Sequence, residues 1–471
     1  MDPSIDDVIV VGAGLSGLVA TARLVESGLR VRVLEARARV GGRTLTVPLG
    51  RGIADLGGQW LSPTQERLRQ LADELGLATC PQHREGRTIL ARGPTRESTW
   101  LGRVPGLHAL ELAWRMRQLE RMSRTVPVAE PEMAERAAAW RAETLATWMD
   151  AKMRTKRARE VLRLLAGLHL GVEPERVSLL YFLHFLRATS GLLGAAGTGG
   201  QRSELRFVAG AQTLCTRLAE RIEHTGRGRI SLESPVAGIR NGERAVTFAV
   251  GDRQLTAERA VLALAPALAE LIEVTPPWPQ PRQELQQSSS HSSVIKCALA
   301  YDTAFWRQSG LSGEAYHLSG PVSAVVDHST PGTAHDVEQP ALMAFLTGDS
   351  ARAASALTPA ERRALVVEQL VALFGPQASQ VIDYADKDWP ADPLSAGCVG
   401  TMGAGAPDGC WPALRQPIGR IHFAGTESAV RWPHYLDGAI EAGERAAAEI
   451  LAARARSEAS SGAFHEPSLT P

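Results

Sequence analysis

The stretch from Val8 to Arg43, VIVVGAGLSGLVATARLVESGLRVRVLEARARVGGR, constrains the fold more than any other part of this chain. Val8 to Val11 is a short apolar run suited to a strand buried on both faces, and it leads straight into Gly12, Gly14 and Gly17. Leu15, Leu18, Val19, Ala22 and Val25 recur at helical spacing, and Gly28 stands where a helix stops. A second strand, Val31 to Leu34, ends in Glu35. The pattern is a β-α-β unit with GxGxxG in its turn and an acid roughly 20 residues on. Gly12 makes the tight turn. Gly14, with Ser16 beside it, lets backbone N–H groups approach a pyrophosphate at the helix N-terminus, and Gly17 lets helix and strand pack closely. Glu35 accepts hydrogen bonds from a ribose 2′-hydroxyl, which disfavours a phosphorylated ribose. GxGxxG alone is weak evidence, but strand, helix and acid in register predict dinucleotide binding.

At 471 residues the chain is long enough for two domains. Its formal net charge is zero, which gives no electrostatic case for nucleic acid. Five cysteines, Cys80, Cys215, Cys297, Cys398 and Cys410, are scattered without a CxxC pair. A reduced, cytoplasmic setting with no metal site is the expectation. Met1 to Asp7 is acidic where a secretory signal is basic. The best apolar run, 260–272, is interrupted by Pro266 and Glu270 and is too short to span a bilayer. Residues 456–471, polar and rich in serine, read as a disordered tail.

After the nucleotide unit comes Asp55-Leu56-Gly57-Gly58-Gln59-Trp60, then a helix over 63–75 closed by Gly76. Helical patterns at 107–122, 132–149 and 157–168 carry arginines on their outer, solvated faces. The dense apolar run 181–186 reads as a core helix, with a pocket wall as the alternative. Residues 191–200 are a glycine-rich loop. The nucleotide-domain pattern returns at Arg206, with a helix over 212–222, strands at 229–232, 236–239 and 245–250, and a buried strand ending before Pro266. Residues 276–290 mark a crossing into the second domain. There, 294–299 is a strand with one charged residue, Lys296, amid apolar neighbours, a costly place for an unpaired ammonium. Further strands are expected at 321–326 and 341–346, and Thr358-Pro359-Ala360-Glu361 is a capping box that opens a helix closed by Gly375.

Together these motifs resemble the flavin monoamine oxidase family from Val8 to about Leu451. Val40-Gly41-Gly42-Arg43-Thr44 is similar to the family's extended fingerprint, and Gly57-Gly58-Gln59-Trp60 to a segment that passes close to the flavin ring. SSVIKCALAYDTAFWR around Lys296, Ser395-Ala396-Gly397-Cys398, Phe423-Ala424-Gly425-Thr426-Glu427 and the run from Tyr435 to Gly443 follow in family order. The resemblance implies an α/β fold: a discontinuous Rossmann-like FAD-binding domain of residues 1–83, 206–283 and 391–455, with an α+β substrate domain of residues 84–205 and 284–390. It implies FAD as cofactor, with Arg43 at the phosphates, Arg37 and Gly42 in the same segment, and Val236 contacting the adenine end through its backbone. Trp389, Gly425, Thr426, Glu427 and Leu436 belong to the flavin's surroundings, and the helix that begins near Leu436 turns its amides toward N1–C2=O. Lys296 is implied to hold a water beside flavin N5, Tyr435 to face the flavin, and Gln201 to face the substrate cavity. Cys398 matches the residue joined to the flavin 8α-methyl as a thioether. Covalent and non-covalent FAD both stay open, because a cysteine also suits a small buried hydrophobe.

The implied reaction oxidises a primary or secondary amine to an imine, hydrolysed to aldehyde or ketone, with O2 reduced to H2O2. The flavin supplies the chemistry and the protein supplies position and dryness. Small-molecule amine and O2 are the partners, and a homodimer is left open. The chain departs from the family where the second aromatic wall of the amine site should follow the cysteine: Val399 stands there, leaving Tyr435 alone of the pair. A bulkier or differently shaped amine is the expectation. An L-amino acid oxidase needs a cation for the substrate carboxylate and finds Gln59 and Trp60 instead of an arginine, so it ranks lower. A flavin-dependent desaturase of lipid-like polycyclic substrates and a non-catalytic FAD scaffold are the remaining alternatives.

Overall fold

The β-α-β unit forms where its apolar spacing places it. In the computed structural model, which describes residues 6–93, 95–99, 107–189, 191, 204–331, 338–398 and 400–462, β1 (Asp6–Val11) runs parallel to β2 (Val31–Leu34), with Val8 opposite Val31 and Val11 opposite Leu34. Helix α1 (Leu15–Glu26) connects them. Val8, Ile9 and Val10 are fully buried, as a strand covered on both faces requires. A Cβ on Gly17 would come within 2.0 Å of the Gly12 carbonyl oxygen, so α1 packs this close only because position 17 has no side chain. Gly12 itself holds φ +101°, open to glycine and strained for other residues.

Distant segments complete this sheet. Gly228–Ser231 pairs with β2, Arg253–Leu262 pairs with the other side of β1, and Ile421–Phe423 adds in parallel beside Leu262. Val246–Val250, Gly238–Asn241 and Glu273–Thr275 extend it to eight strands. The long helix Leu436–Gly462 lies against α1, and a Cβ on Gly443 would meet the Ser16 carbonyl oxygen at 2.4 Å.

A second sheet has seven strands in the spatial order Asp383–Asp388, Val294–Ala300, Ala341–Thr347, Ala324–Asp327, Leu311–His317, Arg87–Arg92 and Thr95–Thr99. The helix Pro359–Phe374 is opened by the expected capping box, with Thr358 and Glu361 each bonding the other's backbone N–H. Between the two sheets in sequence lie Leu107–Ser123, Lys156–Leu170 and Leu179–Ala188, whose Phe182, Leu183 and Phe185 are buried in a common core. The run 181–186 is thus a core helix.

Several boundaries differ from the sequence reading for local reasons. The helix expected over 132–149 is broken into Pro131–Met133, Ala137–Ala142 and Leu145–Lys152, the last restarted by Thr144, whose side chain accepts from the Thr147 N–H. The helix expected from 63 begins at Glu66, because Gln65 closes a turn back onto Ser62 through both its backbone and its side chain. The crossing at 276–290 contains a helix, Gln280–Ser288, anchored by the buried Leu285. The tail expected to be disordered from 456 is instead helical as far as Gly462, since the last helix continues without a break. The loop at 192–200, Gln201, Val399 and residues 463–471 lie outside the described residues.

Candidate active site

One end of a cavity of about 950 Å³ is walled by the β1–α1 turn, with Gly12, Gly14 and Ser16 on its surface. Gly14 caps α1 without a side chain, so the first amides of the helix are left open and carry partial positive charge. The second glycine pair lies against the first: Gly14 bridges Gly41, and a Cβ on Gly42 would sit 3.1 Å from the Gly14 Cα. Glu35, only 4% exposed, accepts from the Ala13 N–H at 2.8 Å and from the Arg37 N–H at 2.9 Å. Val236 lines the same end. An uncapped helix N-terminus, two glycine turns laid against each other and a buried carboxylate are a donor and acceptor set that fits FAD.

The arginines here also tie protein segments together. Arg43 forks onto Glu427, at 2.7 and 3.2 Å, and donates to the Cys398 carbonyl at 2.8 Å. It thereby ties the Cys398 turn to the Gly425–Glu427 segment. Burial raises the Glu427 carboxyl, but Arg43 outweighs burial and holds it down to about 2. Arg37 donates to Asp392 at 2.9 Å and to the Ser395 hydroxyl at 2.8 Å, fixing the segment that carries Cys398.

Farther along, Gly57, Gly58, Gln59, Trp60, Trp389, Cys398, Gly425 and Thr426 line the cavity with Tyr435 and Leu436. Glycine is needed at position 57, where a Cβ would meet the Arg43 carbonyl oxygen at 2.2 Å, while one on Gly58 would touch Leu436 at 3.3 Å. The Trp389 indole donates to the Leu56 carbonyl at 2.8 Å, bracing the start of this segment. The Thr426 hydroxyl accepts from the His434 N–H and donates to the Tyr435 carbonyl, both at 3.1 Å, which sets the approach to the last helix. Burial pushes the Cys398 thiol up, against the pull of Arg43 and Lys296.

Lys296 projects from the strand Val294–Ala300 directly opposite Phe345. Its ammonium donates to the Asp55 carbonyl at 2.6 Å, to the Gly57 carbonyl at 2.8 Å and to Gln59 Oε1. It lies 5.2 Å from the Phe345 ring centroid and 6.0 Å from that of Trp60, and the two rings stack at 5.8 Å. Burial lowers its pKa to about 7, with the Asp55 charge opposing. Tyr435 stacks on Phe185 at 6.3 Å and meets Trp432 edge-on at 5.2 Å, so its ring is held from two sides. Beyond it the cavity wall is mostly apolar, with Leu112, Met116, Leu164, Leu165 and Leu168, and the same two helices add Arg117, Glu120 and His169.

Three features of this wall escape sequence reasoning. Phe345 becomes a neighbour of Lys296 only through strand pairing. Arg84 and Glu204 reach the cavity as an ion pair, with Glu314 a further 3.5 Å from the same guanidinium. His434, with a φ of +73°, contacts the Tyr181 hydroxyl, which donates to the Gly400 carbonyl at 2.7 Å. A hydroxyl has one hydrogen, so His434 Nε2–H donates to Tyr181. A histidine immediately before Tyr435 was the available signal.

Residues 15–451 match the family model described as flavin containing amine oxidoreductase. The chain is 34% identical over 463 residues to amine oxidase [flavin-containing] B of Homo sapiens, covering 94% of this chain and 86% of that one. The cyclohexylamine oxidase of Brevibacterium oxydans superposes with a TM-score of 0.88 at 30% identity, covering 96% of this chain and 100% of the other. A putrescine oxidase bound to putrescine gives 0.87 at 29% identity, with 95% and 99% covered.

Proposed function

This chain belongs to the flavin containing amine oxidoreductases, and on that premise we propose that it takes amines with a bulky apolar body in preference to small diamines. It is a FAD-dependent enzyme that oxidises amines to imines, with O2 reduced to H2O2. The far wall of the cavity carries the substrate reading. Leu112, Met116, Leu164, Leu165 and Leu168 give the amine's body an apolar face, while of the carboxylates at the cavity Glu204 is held by Arg84 and Glu120 lies on the same helix as Leu112 and Met116. The neighbour named cyclohexylamine oxidase supports an apolar amine, and the one bound to putrescine is the competing precedent.

In this reading the Gly12 to Gly17 turn and the amides of α1 hold the pyrophosphate, Glu35 holds the ribose, and Gly57, Gly58, Thr426 and Leu436 hold the flavin. When bound, FAD accepts the hydrogen and electron pair from the carbon beside the amine nitrogen. Tyr435 and Phe345 position the amine's body, and the leucine wall excludes water. The same desolvation that brings Lys296 to about 7 favours the free base of a bound amine, the form with a lone pair on nitrogen. An amino acid oxidase needs a cation open to the substrate carboxylate; Arg84 is engaged by Glu204 and Glu314, and Arg117, the arginine beside the leucine wall, is solvent-exposed. Five free thiols support a reducing, cytoplasmic compartment, which fractionation of the producing cells tests. Among the described residues no helix is long and apolar enough to cross a membrane. Sedimentation distinguishes a homodimer from a monomer.

The deciding experiment is peroxide formation with cyclohexylamine, a bulky secondary amine, benzylamine, putrescine and a lipid-like polycyclic substrate. The first two are expected to be turned over fastest and the last to release none. A clear preference for benzylamine or putrescine would count against the reading.

A further inference from the structure

His434 stands immediately before Tyr435 in the cavity wall, and its backbone is pinned. Its N–H donates to the Thr426 hydroxyl, which in turn donates to the Tyr435 carbonyl, both at 3.1 Å. Its φ is +73°, a left-handed conformation that suits glycine and is uncommon for a histidine. Residues other than glycine that are held there are concentrated at functional sites.

The ring is fixed as firmly as the backbone. The Tyr181 hydroxyl has one hydrogen and gives it to the Gly400 carbonyl at 2.7 Å, so its contact with His434 Nε2 requires the imidazole hydrogen to sit on Nε2. Stacking on Trp411 at 5.8 Å holds the Tyr181 ring in place. Burial lowers the His434 pKa to about 4, with the Glu427 charge opposing, so the imidazole is neutral near pH 7. A neutral imidazole protonated on Nε2 keeps a lone pair on Nδ1. Tyr181 lies outside the cavity lining, and Nδ1 is the nitrogen on the other side of the ring from it. Nδ1 is buried and has no hydrogen-bond partner among the described residues. An unmet acceptor is costly to bury unless a bound molecule brings it a hydrogen.

We propose that His434 is a specificity-determining residue that accepts, through Nδ1, a hydrogen bond from the N–H of the bound amine. The proposal rests on the amine reading, which places the substrate beside Tyr435. The free base of a primary or secondary amine has an N–H to give, and an ether of the same body has none.

The test is a pair of dissociation constants, read from flavin absorbance in FAD-loaded protein. Bridgehead adamantylamine has a bulky apolar body and no hydrogen on the carbon bearing nitrogen, so it binds without being oxidised; the methyl ether of the same body is its partner without an N–H. The parent is expected to prefer the amine, and His434→Gly, which suits the left-handed backbone, to lower that preference about fivefold. His434→Asn also tolerates this backbone and sets an oxygen near the place of Nδ1, so it should keep the parent's preference within about twofold. An unchanged preference in His434→Gly, or an equal fall in His434→Gly and His434→Asn, overturns the proposal. Equal binding of amine and ether by the parent overturns it without any variant. His434→Ala, scored in the same way, replaces His434→Gly if that variant does not take up FAD. Failure of the amine reading itself would show separately, as no peroxide from any amine.

Discussion

Arg43 and Glu427, 384 positions apart in sequence, form a forked ion pair at 2.7 and 3.2 Å that also grips the Cys398 carbonyl. The pair joins the segment after β2 to the segment before the last helix, so it closes the cavity's two walls on one another. Glu427 is nearly buried, which makes the arrangement sensitive to the loss of either partner.

Glu427→Gln is accordingly expected to cost about 3 kcal/mol of stability at neutral pH. The carboxyl titrates at about 2 in the folded protein, below its ordinary value. Its contribution is therefore present above that ordinary carboxylate range and is lost as pH falls through it toward 2. Urea unfolding of parent and variant at pH 7 and pH 3 checks this: the gap should narrow by about 2 kcal/mol at the lower pH and close only below about pH 2.

Two histidines, the buried His184 and the partly buried His434, act over a different window. Burial lowers His184 to about 3 and His434 to about 4. Their folded values lie below the unfolded one near 6.5, so the unfolded chain binds more protons as pH drops and stability falls with it. Each contributes a slope of about 1.4 kcal/mol per pH unit below 6.5, down to its folded value. His434→Gln should flatten the measured dependence between pH 6.5 and 4 by that amount, and an unaltered slope would show that His434 is not held neutral.

Gly14 and Gly17 separate binding from folding. A Cβ on Gly14 would find only Gly42 Cα, at 3.9 Å, so Gly14→Ala should fold normally yet intrude where the cofactor's phosphates approach. A loss of FAD affinity of about tenfold or more, with the unfolding midpoint of the apoprotein unchanged, is the expected result. Gly17→Ala drives a Cβ onto the Gly12 carbonyl and should destabilise the apoprotein itself.

Tyr435 is held by Phe185 and Trp432 as a flat wall, and its phenol is pushed up by burial. Tyr435→Phe should retain most activity, because the ring is what positions the amine. Tyr435→Leu should lower kcat/KM for an apolar amine about tenfold, within the range for a lost aromatic contact. Steady-state peroxide assays on both variants decide whether the ring or the hydroxyl matters.

The nucleotide end of the site was legible because its determinants are local. Gly12, Gly14, Gly17 and Glu35 lie within one β-α-β unit, and the tight turn at Gly12 and the close helix packing at Gly17 appear where their spacing places them. Lys296 was also legible as an ammonium that needs partners, since a strand rarely buries one. Its partners were not: two are backbone carbonyls in another segment, and Gln59 Oε1 is the third. Arg43 shows the same limit. Its pairing with Glu427, 384 positions away, has no local signal in the sequence.

The sequence by itself determined which local units form and that a dinucleotide has a turn to bind, because backbone freedom at glycine and apolar periodicity act over a few residues. Tertiary structure alone decided which side chains face each other across the cavity: Lys296 against Phe345 and Arg43 against Glu427. Those contacts depend on strand register and on segments hundreds of residues apart, and the partners of a buried side chain can be named only once all its neighbours are in place.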